Sequence, residues 1–226
     1  MIRAVVFDLW NTLVHSRGGD PFRQLHALMT EAQRPFFLAF KRDAMVQPHA
    51  DARALLERWR SRLEPSESQF EAMVQVFREA VDDTQCFPEV QEALLATRGI
   101  ARTALLSNTQ SFDLGFLERL DLTRLIPSRF LSAETGALKP EPGAFEAVQR
   151  GLGLFPGELA MVGDSWNDDV QGALGAGWTA LWLNREGRPR PDHPSEGTLL
   201  EIPDLSALPP ILGRLQAEGR CDTCLG

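Results

Sequence analysis

The sequence predicts an α/β protein, a doubly wound parallel sheet with an all-helical insertion after its first strand. Two observations carry that reading. From residue 88 onward, short apolar runs alternate with stretches of helical periodicity, the pattern of the strand–helix units that build a parallel sheet. Between about residues 20 and 85, apolar residues recur only at helical spacing.

The elements follow in order. Arg3-Ala4-Val5-Val6-Phe7 is a continuous, β-branched apolar run that stops at Asp8, as a strand buried on both faces does. In the insertion, Phe22, Leu25, Leu28 and Met29 share one helical stripe, Leu55, Leu56, Trp59 and Leu63 a second, and Phe70, Met73, Val74 and Phe77 a third. Pro35, Pro48 and Pro65 punctuate them, so three or four helices are expected with no strand between. Helix 88–97 then leads to strand 102–106, helix 111–119 to strand 129–132, helix 141–151 to strand 158–162, and helix 168–176 to strand 178–183. Residues 185–197 form a polar, Pro-rich loop, helix 205–217 closes the domain, and 218–226 is a loose tail.

A chain of 226 residues suffices for one domain with a small insertion, and it buries roughly 70% of its unfolded surface without needing disulfides. Its 43% apolar and 24% charged residues exclude disorder and collagen-like repeats. No apolar stretch approaches the roughly 18 residues of a membrane span, and the short run at the start does not read as a signal peptide. Three cysteines, Cys86, Cys221 and Cys224, are too few for a secreted disulfide scaffold, so a cytoplasmic protein is expected. Cys221-x-x-Cys224 lacks a second ligand pair for zinc, and Cys86 reads as a small packing residue. A net charge of −8 argues against nucleic acid as a partner. A small anionic substrate remains compatible, because local groups rather than net charge define a site. The chain is expected to be a monomer or homodimer.

Open parallel sheets bind ligands beyond the carboxyl ends of their strands. Four polar clusters fall at such places: Asp8–Thr12, Ser107-Asn108-Thr109, the segment holding Lys139, and Gly163-Asp164-Ser165. Each alone also suits a helix cap, but four in order, spaced by strand–helix units, point to a site. The chain has 21 arginines and only two lysines, Lys41 and Lys139, so a lysine in one of these clusters is unexpected by composition.

On Phe7-Asp8-Leu9-Trp10-Asn11-Thr12-Leu13, Leu106-Ser107-Asn108, Gly136-Ala137-Leu138-Lys139-Pro140 and Val162-Gly163-Asp164-Ser165-Trp166-Asn167-Asp168-Asp169, the sequence closely resembles the haloacid dehalogenase-like hydrolase superfamily. The resemblance runs from residue 5 to about 183. It implies a Rossmann-like catalytic core over residues 1–14 and 87–217, with residues 15–86 similar to the family's helical cap. It also implies Asp8 as a nucleophile whose ester water later cleaves. Thr12 and Ser107 would bond the oxygens of the transferred group, with Asn108 nearby, and Lys139 would hold Asp8 among crowded anions. Mg²⁺ would sit on Asp8, Asp164 and the Trp10 carbonyl, with Asp168 or Asp169 behind it or reaching it through water.

One departure matters. Phosphatases of this family carry a second Asp two residues after the nucleophile, which protonates the leaving oxygen and then activates water. Here the position is Trp10, and indole is no acid or base near neutral pH. Losing a positioned acid/base typically costs about 10²–10⁴-fold in rate. Three readings follow: a phosphatase that is slow, takes good leaving groups or uses another donor (Asp168, Asp169, His15 or His49); a 2-haloacid dehalogenase, whose halide leaves without a proton and whose substrate Arg34 or Arg42 would hold; or a binding protein on a disabled scaffold. Asp164 and the intact set Asp8, Thr12, Ser107 and Lys139 favour Mg²⁺-dependent hydrolysis of a small phosphorylated metabolite through an aspartyl-phosphate.

Overall fold

The computed structural model describes residues 1–192 and 197–221, the last four by backbone alone. From the start, β1 (Ala4–Phe7) and a short β2 (Val14–Ser16) lead into four helices, α1 (Pro21–Leu28), α2 (Phe37–Val46), α3 (Ala52–Leu63) and α4 (Glu67–Asp82). β3 (Thr84–Cys86) then pairs antiparallel with β2, so a two-stranded ribbon that the periodicity did not predict closes the helical stretch. The chain continues through α5 (Val90–Arg98), β4 (Arg102–Ser107), α6 (Phe116–Arg119), α7 (Leu122–Leu125), β5 (Ser128–Leu131), α8 (Ser132–Thr135), α9 (Pro142–Leu152) and β6 (Leu159–Gly163). A π-helical turn (Trp166–Gln171) runs into α10 (Gly172–Gly175), followed by β7 (Thr179–Leu183), β8 (Leu199–Ile202) and α11 (Leu208–Cys221).

The main sheet is six-stranded and parallel, in the order β5-β4-β1-β6-β7-β8. β1 is central and wholly buried because each of its faces meets a separate apolar layer. Val5 and Phe7 join one layer with Leu94, Leu105, Phe116 and Leu208, while Ala4 and Val6 join the other with Phe145, Met161, Trp178 and Trp182. Short polar side chains start the inserted helices: Asp20 accepts from the Phe22 N–H at 2.9 Å, Asp51 from Ala54 at 2.7 Å and Ser66 from Gln69 at 3.2 Å.

Helices α1–α4 enclose a third apolar cluster, including Phe22, Phe40, Trp59, Phe70 and Phe77. Phe112 joins it from outside, inserting from the segment after β4 to meet the Phe77 ring edge-on at 5.3 Å. This placement explains why helix 111–119 does not form. Asp113 and Asp121 take positive φ, and only the short α6 and α7 remain. Strand β8 was not expected, the predicted helix 168–176 begins instead as a π-helical turn, and α11 runs to Cys221 rather than ending at 217. Residues 193–196 of the predicted loop, and Cys224 of the cysteine pair, lie outside the described residues. Cys86 is half-buried against the first apolar layer, where burial raises its thiol pKa. Among the described residues, no helix is long and apolar enough to cross a membrane.

Candidate active site

Three adjacent strands, β4, β1 and β6, end together, and their last residues bring the polar clusters to one edge. The Asp8 N–H donates to the Val162 carbonyl at 2.9 Å, which carries β1 alongside β6 up to the carboxylate. Asp8 is buried, as are Lys139 and Asp169. The Lys139 Nζ donates to Asp8 Oδ1 at 2.6 Å and to Asp169 Oδ1 at 2.5 Å. Carboxylate oxygens of Asp8, Asp164 and Asp169 all lie within 4.8 Å of one another. The ammonium thus bridges two of the three acids, and the four groups together carry a formal charge of −2.

The electrostatics follow from that imbalance. Burial alone would lower the Lys139 pKa, but Asp169 and Asp8 outweigh it and hold the ammonium charged, above its ordinary range. Burial, helped by the neighbouring Asp8 charge and opposed by Lys139, pushes Asp169 up to about 7. Asp164 is pushed up to about 6, again by burial first and Asp8 second.

Local structure sets each group. The Asn108 side chain clasps the Lys139 backbone from both sides, donating from Nδ2 to its carbonyl at 2.9 Å and accepting its N–H on Oδ1 at 2.7 Å. Asn108 is therefore a positioning residue for Lys139 as well as part of the cavity lining. The π-helical turn aims Asp169 inward: the Val170 N–H reaches back five residues to the Ser165 carbonyl at 3.2 Å, and the Ser165 N–H donates to Asp169 Oδ2 at 3.0 Å. Gly163 makes room, since a Cβ there would lie 2.2 Å from Asp169 Oδ2. Asp168, by contrast, is half-exposed and accepts from the Asn167 amide. Of the two candidate residues, Asp169 is the one brought to Asp8 and Asp164. Thr12 Oγ1 and Ser107 Oγ are buried without a hydrogen-bond partner among the described residues, although neither belongs to the cavity lining.

Residues 2–177 match the family model of haloacid dehalogenase-like hydrolases. The chain belongs to that family. A phosphoserine phosphatase of Thermus thermophilus is 34% identical over 122 residues, covering 53% of this chain and 48% of that protein. An N-acylneuraminate-9-phosphatase of Mus musculus is 40% identical over 74 residues, 30% of this chain and 29% of that one. The matches thus span about half or less of these curated relatives. A 2-haloacid dehalogenase structure from Pseudomonas syringae pv. Tomato DC3000 superposes with a TM-score of 0.68 at 23% identity, covering 95% of this chain and 100% of that one. The structure of a phosphatase of the same family from Thermococcus onnurineus superposes at 0.66, also at 23% identity, covering 94% and 98%. These two structures establish the shared fold.

In this haloacid dehalogenase-like hydrolase, a cavity of about 630 Å³ opens above the acids. Trp10 lines it, pinned by its indole N–H to Thr109 Oγ1 at 3.2 Å and packed on Phe116 at 5.5 Å. Trp166 also lines it and packs edge-on against Trp182 at 5.0 Å. Four sequence candidates lie outside the lining. His15 packs on Phe87, His49 faces Asp43, Arg42 pairs with Glu141 at 2.7 Å, and Arg34 is exposed. The loop after β7, read as solvated, contributes two arginines instead. Arg188 lines the cavity and donates to the Asp164 carbonyl at 3.1 Å. Arg185 donates to the Thr12 carbonyl at 3.0 Å, pairs with Glu89 at 2.6 Å and covers the Phe87 ring at 3.8 Å. Lys41 of α2 reaches the cavity too. Its rarity in the composition was the signal that could have found it.

Proposed function

We propose that this hydrolase is a phosphatase that removes the phosphoryl group from a small phosphorylated metabolite, with Asp8 as nucleophile and Mg²⁺ as cofactor. The carrying observation is the trio of Asp8, Asp164 and Asp169 beside Lys139, two of them buried and Asp164 half-buried, a surplus of oxygen anions that suits a hard dication. Asp8, Asp164 and Asp169, with the Trp10 carbonyl, would hold the ion, which when bound neutralises the surplus charge and draws charge from the phosphoryl oxygens.

Asp8 attacks phosphorus as the P–O bond to the ester oxygen breaks, that oxygen leaving as an alkoxide or phenolate that takes its proton from water, with an acyl phosphate left on Asp8. Water then cleaves that bond, releasing phosphate and restoring the carboxylate. Lys139 orients Asp8 through its 2.6 Å bond and is itself held by Asn108. The hydroxyls of Thr12 and Ser107 lack partners but lie behind the cavity lining, so bonding the phosphoryl oxygens would require them to turn toward the cavity. Helices α1–α4 act as the cap, of which α1, through Pro21 and Phe22, and α2, through Lys41 and Met45, bound the cavity. The phosphatase relatives support this reading, and the acid trio counts against a 2-haloacid dehalogenase, whose nucleophile would face uncompensated carboxylates. Trp10 leaves the departing oxygen without an obvious acid, so esters with good leaving groups should turn over best.

The test is hydrolysis of p-nitrophenyl phosphate with and without Mg²⁺, beside Asp8→Asn. Mg²⁺-dependent turnover that vanishes in Asp8→Asn supports the reading, and absence of turnover in both conditions refutes it.

A further inference from the structure

Of the two lysines, Lys139 belongs to the acid trio and Lys41 has no assigned role. Lys41 sits on α2, is half-buried as a residue, and lines the same cavity as Asp8. Its Nζ lies 5.3 Å from the centre of the Phe22 ring, so its stem is braced against an aromatic face. Among the described residues it has no hydrogen bond and no ion pair. Arg42 pairs with Glu141, and Arg188, the remaining basic residue of the cavity lining besides Lys139, donates to the Asp164 carbonyl. Two other acids border the cavity but are engaged, Asp20 with the Phe22 N–H and Asp168 with the Asn167 amide.

Lys41 brings a positive charge without an anionic partner to a cavity that is far larger than a phosphoryl group requires. The phosphoryl end of a substrate is served by Lys139 and the dication, so Lys41 answers to something else. We infer that the substrate carries a second anionic group, a carboxylate or a second phosphoryl, on its leaving portion, and that Lys41 is the specificity residue receiving it. The inference rests on the phosphatase reading.

The experiment measures kcat/KM with Mg²⁺ on matched pairs, 3-phosphoglycerate against glycerol 3-phosphate and fructose 1,6-bisphosphate against fructose 6-phosphate. The parent should favour the charged member of one pair by about 10–100-fold, the worth of a hydrogen bond to a charged group. The pair that discriminates identifies which anion is read. In Lys41→Met the ratio between members should fall close to one, chiefly through KM, and Lys41→Arg should keep most of it. A parent that treats both members of each pair alike, or a preference that survives Lys41→Met, overturns the inference while leaving the phosphatase reading intact. If no ester is hydrolysed, the phosphatase reading fails separately. Calorimetric binding to Asp8→Asn then decides: tighter binding of a charged member that is lost on adding Lys41→Met upholds Lys41 as an anion site, and equal binding refutes it.

Discussion

Replacing Lys139 with methionine keeps most of the side-chain volume and deletes one charge. In the metal-free protein the cluster then holds three carboxylates and no cation, a formal charge of −3 in place of −2. Deleting one partner of a buried pair costs about 3–5 kcal/mol. For a chain of this length that lowers Tm by roughly 6–20 °C. The cost should depend on pH with a definite sign. Asp169 and Asp164 are pushed up to about 7 and about 6, whereas an unfolded Asp titrates near ~4. Across that window the folded state binds more protons than the unfolded one, so these two groups withdraw stability as pH rises and withdraw most above pH 7. At pH 5 both are largely protonated, fewer bare charges need Lys139, and the penalty should fall well below its pH 8 value. Scanning calorimetry of parent and Lys139→Met, metal-free at pH 5 and pH 8, measures both. Mg²⁺ added at pH 8 should raise both melting points, because it binds only the folded cluster. A penalty no larger at pH 8 than at pH 5 would refute the account of three acids balanced on one lysine.

Four further outcomes are expected. Trp10→Asp should raise turnover of glycerol 3-phosphate by about 10²-fold or more while changing p-nitrophenyl phosphate only a few-fold, since the restored acid matters for poor leaving groups; an unchanged alkyl ester rate would mean the proton comes from elsewhere. Gly163→Ala drives a methyl group into Asp169 Oδ2, so half-saturating Mg²⁺ should rise by about 10-fold in an activity titration. Asn108→Ala removes both bonds to the Lys139 backbone and should cost about 1–3 kcal/mol in thermal melts, with kcat falling more than KM changes. Phe112→Ala empties a filled socket among α1–α4, and denaturant unfolding should lose about 3–5 kcal/mol.

Four of the five predicted strands, β1, β4, β6 and β7, were legible because strands buried on both faces leave few polar positions to confuse the pattern, whereas β5, Ser128-Arg129-Phe130-Leu131 at the sheet edge, has only Leu131 fully buried. Strand β8 was not, because Leu199-Leu200-Glu201-Ile202 is an edge strand of mixed character after a polar loop. Helix 111–119 was misread for a specific reason. Phe112, Phe116 and Leu117 keep helical spacing, yet Phe112 packs among α1–α4 while the other two pack on the sheet. Periodicity assumes one shared face, and here the face is split. At the site, Asp8, Lys139 and Asp164 were legible as strand-end clusters. The choice between Asp168 and Asp169 was not, because it depends on a π-helical turn that brings Asp169 to Lys139 and leaves Asp168 at the cavity edge, bonded to Asn167. Arg185 and Arg188 were hidden by their neighbours, since a run of arginine and proline reads as solvent-facing whatever it touches.

Phe112 also bears on how such proteins can be recombined. By chain it belongs to the sheet-bearing body, and by packing it belongs to the helical insertion, where Ser111 adds reciprocal bonds to the His49 backbone at 2.8 and 3.0 Å. A graft cut at the β2–β3 ribbon would carry away the socket and leave its plug behind, giving a donor with a bare phenyl ring and a recipient with a hole. The exchangeable module therefore has two pieces, the insertion and the short loop around Phe112, and chimaeras that move them together should fold where single-cut chimaeras do not.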